Sequence, residues 1–407
     1  MGVGPLTTPL VVGNHRDAWI VGGGADPNSG SAVLNEAVRA FGEAVRQGWK
    51  PLRTIVFASW DGEEYGLIGS TEWVEEYLPW LNHANVAYIV SISPLSSYPT
   101  ILTAPENTDV SVRGTYLRTS AAPLLDNIIR AATAAVPSPN QTVPGQTVYD
   151  LWDKQIKTMG SGSDFTAFQD FAGIPSLDIG FDTAPGEAVY HYHSNYDSFH
   201  WMDEFGDPGF AYHRTMAQVV GLLTAQLADL PVISFRAADY ARALDGYVGK
   251  VEGKLQAALA PAAEIETASL LDDEAYFELR GSTRKSTPPT LTTTSSSPAS
   301  AESFKLSLKR LHKTIAKLTA HAVELDEQAD ELSEKLEGHI PWWNWPARLK
   351  LGLAIRKVNT KYKYLERGFL FEEGLDGRPW FKHVVFAPGL WTGYAGGKFL
   401  SSFLILG

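Results

Sequence analysis

Two adjacent carboxylates, Glu63 and Glu64, sit in the run Ser59-Trp60-Asp61-Gly62-Glu63-Glu64-Tyr65-Gly66-Leu67. They follow a short apolar run, residues 54–58, that reads as a buried strand. The carboxyl end of such a strand is where open α/β sheets place their sites. One glutamate of such a pair can bind a metal while its neighbour acts on a water. Upstream, a second strand-like run, Leu10-Val11-Val12, leads into Gly13-Asn14-His15-Arg16-Asp17-Ala18-Trp19, then Gly22-Gly23-Gly24-Ala25-Asp26-Pro27. His15 offers a borderline nitrogen and Asp26 a hard oxygen, a mixture that suits zinc. Further on stands Tyr190-His191-Tyr192-His193-Ser194-Asn195-Tyr196-Asp197. Each piece alone has a bland reading: a solvated acid pair, a loop histidine, a turn, a surface residue. Together in one chain they point to metal-dependent chemistry.

Regular elements must deliver these residues. Residues 1 to about 230 alternate strand and helix patterns. A helix is predicted over 29–45, with Leu34, Val38, Phe41 and Val45 on one face. Residues 73–81 begin another amphipathic stretch, the Gly-Ser turn at 160–165 opens a further helix, and 174–179 is a strand. From about 232 the pattern turns helical. Residues 281–303, rich in Ser, Thr and Pro, read as a disordered loop. Then Phe304, Leu308, Leu311, Ile315, Leu318, Ala322, Leu325, Ala329, Leu332 and Leu336 alternate steps of four and three, an apolar heptad seam closed by Gly338. Trp342, Trp343 and Trp345, flanked by Pro341 and Pro346, are expected to pack.

The order of these motifs resembles the zinc exopeptidase family that contains glutamate carboxypeptidase II and its non-catalytic relative, transferrin receptor. The resemblance is carried by residues 15–19, Asp26-Pro27, 57–61, 67–73 and 192–194, and it continues through Tyr364-Leu365-Glu366-Arg367 to Ala387-Pro388 and Tyr394-Ala395-Gly396. It implies an α/β fold: a mixed, mainly parallel sheet with helices on both faces over 1–230, followed by an α-helical bundle dimerisation domain over 231–407. It implies two zinc ions bridged by Asp26. Glu64 and His193 would complete one, His15 and a further aspartate the other. Glu63 would be the general base, Asp17 would orient His15, and Tyr192 would donate to the developing oxyanion. Gly162 and Ser163 of the Gly-Ser turn, with Tyr394, would contact the substrate. Glu72 and Glu75 match a calcium site of relatives.

The further aspartate requires joining distant residues. The family strand reads Ala-Tyr-Ile-Asn-x-Asp, whereas here Ala87-Tyr88-Ile89 runs into Val90-Ser91, and the motif resumes at Asn107-Thr108-Asp109. Joining Ile89 to Asn107 restores the strand and makes Asp109 the ligand. Val90-Ser91 can be encoded by a donor-like GTAAGC and Glu106 by an acceptor-like GAG, so residues 90–106 are expected to be a translated intron or gene-model error. Gly397-Lys398 can likewise be encoded by GGTAAG, and 397–407 reads as a non-native tail replacing a lost helix.

The 407 residues are enough for two or three domains. There is no cysteine, so thiol and disulfide chemistry play no part. A net charge of −12 argues against nucleic acid and anionic membrane surfaces as partners. No signal peptide or membrane span is read in the chain. Relatives carry an anchor and an inserted apical domain ahead of the first catalytic strand. The chain therefore reads as a truncated form of a single-pass, membrane-anchored parent in the cell-surface or vacuolar pathway, and Asn140-Gln141-Thr142 is a sequon consistent with export.

The implied activity is hydrolysis of small peptides by an enzyme that is dimeric in its full-length form. A non-catalytic, receptor-like homologue or an inert fragment is the competing reading. The presence of His15, Asp26, Glu63, Glu64, Asp109 and His193 favours the enzyme. Glutamate-specific relatives use a lysine-tyrosine pair where this chain has Gly393-Tyr394, so a preference for acidic substrates is not expected.

Overall fold

A computed structural model describes residues 9–84, 86–90, 110–259, 298–338 and 340–389. Residues 281–297 of the predicted loop, Asp109, Tyr394 and the tail 397–407 lie outside them, as does all of the inserted segment past Val90. The first half builds β1 (Leu10–His15), α1 (Asn28–Arg46), β2 (Ile55–Trp60), α2 (Ile68–Ala84), β3 (Tyr88–Val90), β4 (Tyr116–Ala121), α3 (Asp126–Ala135), α4 (Val148–Leu151), a π-helical turn (Ala167–Phe171), β5 (Ser176–Asp182), α5 (Phe199–Trp201) and α6 (Ala211–Asp229). The sheet order is β2-β1-β3-β5-β4. The first four strands are parallel and β4 runs antiparallel to β5 at the edge.

Both faces of this sheet are covered, which is why its inner strands read as continuous apolar runs. Side chains alternate across a strand. Leu10 and Val12 pack with Val33 and Leu34 of α1 and with Met216 and Val220 of α6. Val11 points the other way, into a cluster with Val74 and Leu81 of α2, Tyr88 and Phe168. On α1 the buried residues are Ser29, Gly30, Val33, Leu34 and Ala37, while Val38 and Val45 are exposed. The predicted face is therefore rotated. Small residues let α1 approach β1 closely: a Cβ on Gly30 would lie 2.2 Å from Asn14 Oδ1.

β3 holds only three residues, yet it lies between β1 and β5. The strand runs one residue past Ile89, and Val90 pairs with Asp178. Val112 then forms a parallel bridge to Phe181, three residues further along β5. Phe181 N–H donates to Ser111 at 2.8 Å and Arg113 N–H donates to Phe181 at 2.9 Å. Arg113 Nε also donates to Asp182 at 2.6 Å, inside the protein. Residues 110–113 thus rejoin the line of the strand that Tyr88–Val90 begin.

The second half is helical: α7 (Ala237–Leu259), α8 (Pro298–Glu337) and α9 (Trp345–Leu365). The helix α8 takes in 298–303, the end of the predicted loop. Its opening proline suits a first turn, where no N–H is needed, and Ala299 and Ala301 favour helix. The heptad seam packs within the chain. Leu308, Ile315, Ala322, Leu325, Ala329 and Leu332 are buried in the core that also holds Tyr240, Leu244 and Val248 of α7. Leu336, at the end of the seam, is exposed. Asp326 of α8 accepts from the N–H groups of Ala237 and Ala238 at 2.9 and 3.0 Å and from the Tyr362 hydroxyl at 2.8 Å, so one carboxylate ties the three helices. Glu366, fully buried, accepts from Gln169 at 2.7 Å and Tyr240 at 3.1 Å, linking the sheet half to the helical half. Trp342, Trp343 and Trp345 do not pack into the core: all three are exposed. No helix among the described residues is long and apolar enough to cross a membrane.

Candidate metal centre

β1 ends at His15 and β2 at Trp60, paired in register, so the loops that follow them leave the same edge of the sheet. His15 is fully buried. Its Nδ1 lies 2.9 Å from the main-chain carbonyl of Asp17 and 3.5 Å from that residue's carboxylate. Donation from Nδ1 to the carbonyl leaves Nε2 as a lone-pair donor. Nε2 faces Asp26 Oδ1 at 3.2 Å. The expected partner of His15 is thus Asp17, but the main chain makes the closer contact. The Asp17 carboxylate accepts the N–H groups of Glu63 and Glu64 instead, both at 3.1 Å. Burial alone would raise Asp17, but the contact with His15 and these two amides hold it below its ordinary value.

Asp26, Glu64 and His193 bring one ligand atom each within 4.8 Å of one another. His193 Nε2 is 2.9 Å from Glu64 Oε2 and 3.6 Å from Asp26 Oδ2. Asp26 Oδ1, Glu64 Oε1 and His193 Nε2 are buried without a hydrogen bond of good geometry among the described residues. Buried polar atoms left in this state are costly unless something else satisfies them. The donor set, carboxylate oxygens and an imidazole nitrogen, suits zinc. The chain's own electrostatics ask for positive charge there. Burial would lower His193, yet its contacts with Asp26 and Glu64 push it up to about 9. Burial would raise Asp26, yet His15 and His193 hold it below its ordinary value.

The loop carrying Asp26 is held by a residue whose role is not legible in the sequence. Asp197 accepts the N–H groups of Ala25 at 2.6 Å and Asp26 at 3.0 Å, and its other contact is the Tyr190 hydroxyl at 3.0 Å. Gly22 has φ +107°, and a Cβ there would lie 2.4 Å from the Asp197 carbonyl oxygen, so the loop closes against 197 only with glycine. His193 itself sits at φ 52°, a left-handed conformation unusual outside glycine and common at working sites. Two aromatic rings stack on its imidazole: Tyr192 at 3.6 Å and Trp19 at 5.3 Å between centroids. Trp19, Ile20, Val21, Asp26, Glu64 and His193 are among the residues lining the recess over the centre; Gly162 and Ser163 are not. Ser163 is buried and Gly162 has φ 108°. Glu63 is buried beside the centre. Glu75 accepts from the Trp380 indole at 2.6 Å, and among the described residues only the Asp26–Glu64–His193 group has metal-holding geometry.

Residues 3–205 match peptidase family M28, and residues 306–400 match a transferrin receptor-like dimerisation domain. The chain is similar to a "Probable glutamate carboxypeptidase" of Arthroderma benhamiae, 36% identical over 394 residues that make up 95% of this chain and 44% of that protein. It is 31% identical over 398 residues to the "Probable glutamate carboxypeptidase LAMP1" of Arabidopsis thaliana, covering 96% of this chain and 45% of the relative. It is 29% identical over 398 residues to the "Aminopeptidase NAALADL1" of Rattus norvegicus, covering 93% and 43%. The chain spans less than half the length of these relatives.

Proposed function

Because the chain belongs to peptidase family M28, we propose that it is a zinc-dependent exopeptidase acting on small peptides at the centre formed by Asp26, Glu64 and His193. The observation that carries this reading is the convergence of those three ligand atoms within 4.8 Å in a buried, charge-demanding pocket. Asp26, Glu64 and His193 would hold one zinc; on the family resemblance, His15 and Asp109 would supply the ligands of a second ion that shares Asp26. Zinc bound there supplies a water acidified toward about pKa 7 and a polarised carbonyl.

The chain's own residues do the remaining work. Glu63, adjacent to ligand Glu64 and anchored through its N–H to Asp17, takes the proton of the attacking water on its carboxylate and passes it to the leaving amine. The Tyr192 hydroxyl donates to the oxyanion while its ring holds the His193 imidazole in place. Trp19 also stacks on that imidazole and lines the recess over the centre. A calcium ion at Glu72 and Glu75 forms no part of this reading, since Glu75 is already used by Trp380. The helical segment that matches the transferrin receptor-like dimerisation domain is the part that would pair two copies.

The test is metal content with turnover on a peptide library. Metal-stripped chain reloaded with zinc should hold two ions and cleave terminal residues. Asp26→Ala should lose both ions and all turnover, and Asp109→Ala should lose one ion. A folded chain that retains no zinc would overturn the proposal.

A further inference from the structure

The outer face of α9 carries an apolar stripe left open to solvent. Trp345, Leu349 and Leu353 recur every fourth residue and so share one face, and they are 66, 54 and 57% exposed. Trp342 and Trp343, in the turn leading into the helix, are 77 and 66% exposed. They pack edge to face on each other, at 6.1 Å between centroids. The inward face of the helix is already satisfied. Val358 and Tyr362 are buried, Tyr362 bonds Asp326, and Asn359 bonds both Ile233 N–H at 2.9 Å and the Pro231 carbonyl at 2.7 Å. Packing among the described residues therefore does not explain the outward stripe, and a contiguous exposed apolar patch marks an interaction site.

Charge says what that site meets. Residues 340–365 hold Arg348, Lys350, Arg356, Lys357, Lys361 and Lys363 and no acidic residue, in a chain whose net charge is −12. Only Lys363 turns inward, with its amine 4.4 Å from the Tyr364 ring; the other five are exposed. At 100° per residue, Arg348 flanks one side of the Trp345–Leu349–Leu353 stripe, Lys350 and Lys357 flank the other, and Arg356 lies within it.

We propose that this face of α9, with the tryptophan turn before it, seats on an anionic lipid surface. Indole rings and leucines enter the headgroup boundary while basic side chains on either flank extend their charges to the phosphates. The helix lies on the surface and does not span it. The net negative charge of the chain does not forbid this, because charges beyond about 10 Å are screened at ordinary ionic strength while the basic flanks act at contact. The family match makes a second copy of the chain the competing occupant, since it covers this helix. A two-fold contact through this face would set the basic stripe against itself, which the charge disfavours. The inference is independent of the metal centre.

The experiment is vesicle co-sedimentation of the whole chain, with tryptophan emission recorded and light scattering run in parallel. Vesicles of phosphatidylcholine with phosphatidylserine should retain the protein and shift its emission to the blue. Phosphatidylcholine alone should not, and added salt should release it. The variant Trp342→Ser/Trp343→Ser/Trp345→Ser should lose the shift and bind at least roughly tenfold more weakly. Arg348→Glu/Lys350→Glu, which keeps every aromatic ring, should weaken binding by roughly 30-fold or more, because each basic residue at such a surface is worth about fivefold. Absence of binding to the anionic vesicles, or binding that survives the charge reversal, would overturn the proposal. So would a dimer that the serine variant converts to monomer, because the face would then belong to a second copy.

Discussion

The carboxylate of Asp17 accepts the main-chain N–H of Glu63 at 3.1 Å, and its second oxygen accepts that of Glu64 at the same distance. One side chain in the loop after β1 therefore sets the backbone of both glutamates in the loop after β2, while its own carbonyl faces the ring of His15. Asp17→Ala should lower zinc affinity and turnover together, by roughly 10–100-fold, as loss of an orienting partner does. Asp17→Asn keeps one acceptor oxygen and should fall between the two. Wild-type affinity in the alanine variant, measured by competition with a chelating dye, would show that the loops hold themselves.

Glu63→Gln separates chemistry from ligation. The amide keeps the size of the side chain and removes its proton-accepting oxygen. Turnover should drop by roughly 10²–10⁴-fold with zinc content unchanged. A variant that loses zinc in parallel would make Glu63 a ligand and not a base.

The metal-free centre predicts a pH dependence with a definite sign. His193 is pushed from 6.5 to about 9, so between those values the folded chain holds a proton that the unfolded chain has released. Metal-free stability should therefore be greatest at the lower end of this window and decline as pH rises through it. Zinc must displace the same proton, so its affinity should climb by up to about tenfold per pH unit until near pH 9. Thermal melts with and without chelator across the window read both trends, and His193→Gln should flatten them.

Much of the site was legible and part of it was not. The structure brings Asp26, Glu64 and His193 together, a grouping that the motifs suggested only through the family resemblance, since local patterning left each of them a bland reading. Asp197 escaped because its work is done 171 and 172 residues away in sequence, on the amides of Asp26 and Ala25. Nothing near position 197 advertises that contact. The face of α1 was misjudged for a related reason. Periodicity ranks large apolar residues first, whereas the buried face of α1 runs through Ser29, Gly30, Val33, Leu34 and Ala37, three of them small. The tryptophans around 342–345 were misjudged because an aromatic cluster reads as core wherever it stands, and only the positions of α8 and α9 leave it outside.

Gly13 links the core to the centre. Trp60 Nε1 donates to the Tyr88 hydroxyl at 2.8 Å, across the strand that carries His15. A Cβ on Gly13 would lie 2.6 Å from the Tyr88 oxygen and 2.7 Å from Trp60 Nε1. Gly13→Ala should cost about 1–3 kcal/mol by overpacking, and Tyr88→Phe in the same chain should return part of it. Urea denaturation of the single and double variants measures the difference.

The proposed centre draws on two stretches of chain, one before and one after residues 91–109. His15, Asp26, Glu63 and Glu64 come from before residues 91–109, and His193 comes from after them. β3 and α1 on the earlier side pack against β5 and α6 on the later side. A cut anywhere in 91–109 would therefore yield two complementary halves, neither of which holds the full donor set. Mixed together, they would report their own reassembly: zinc capture would appear only when the halves had found each other, and the metal would become a latch between two polypeptides.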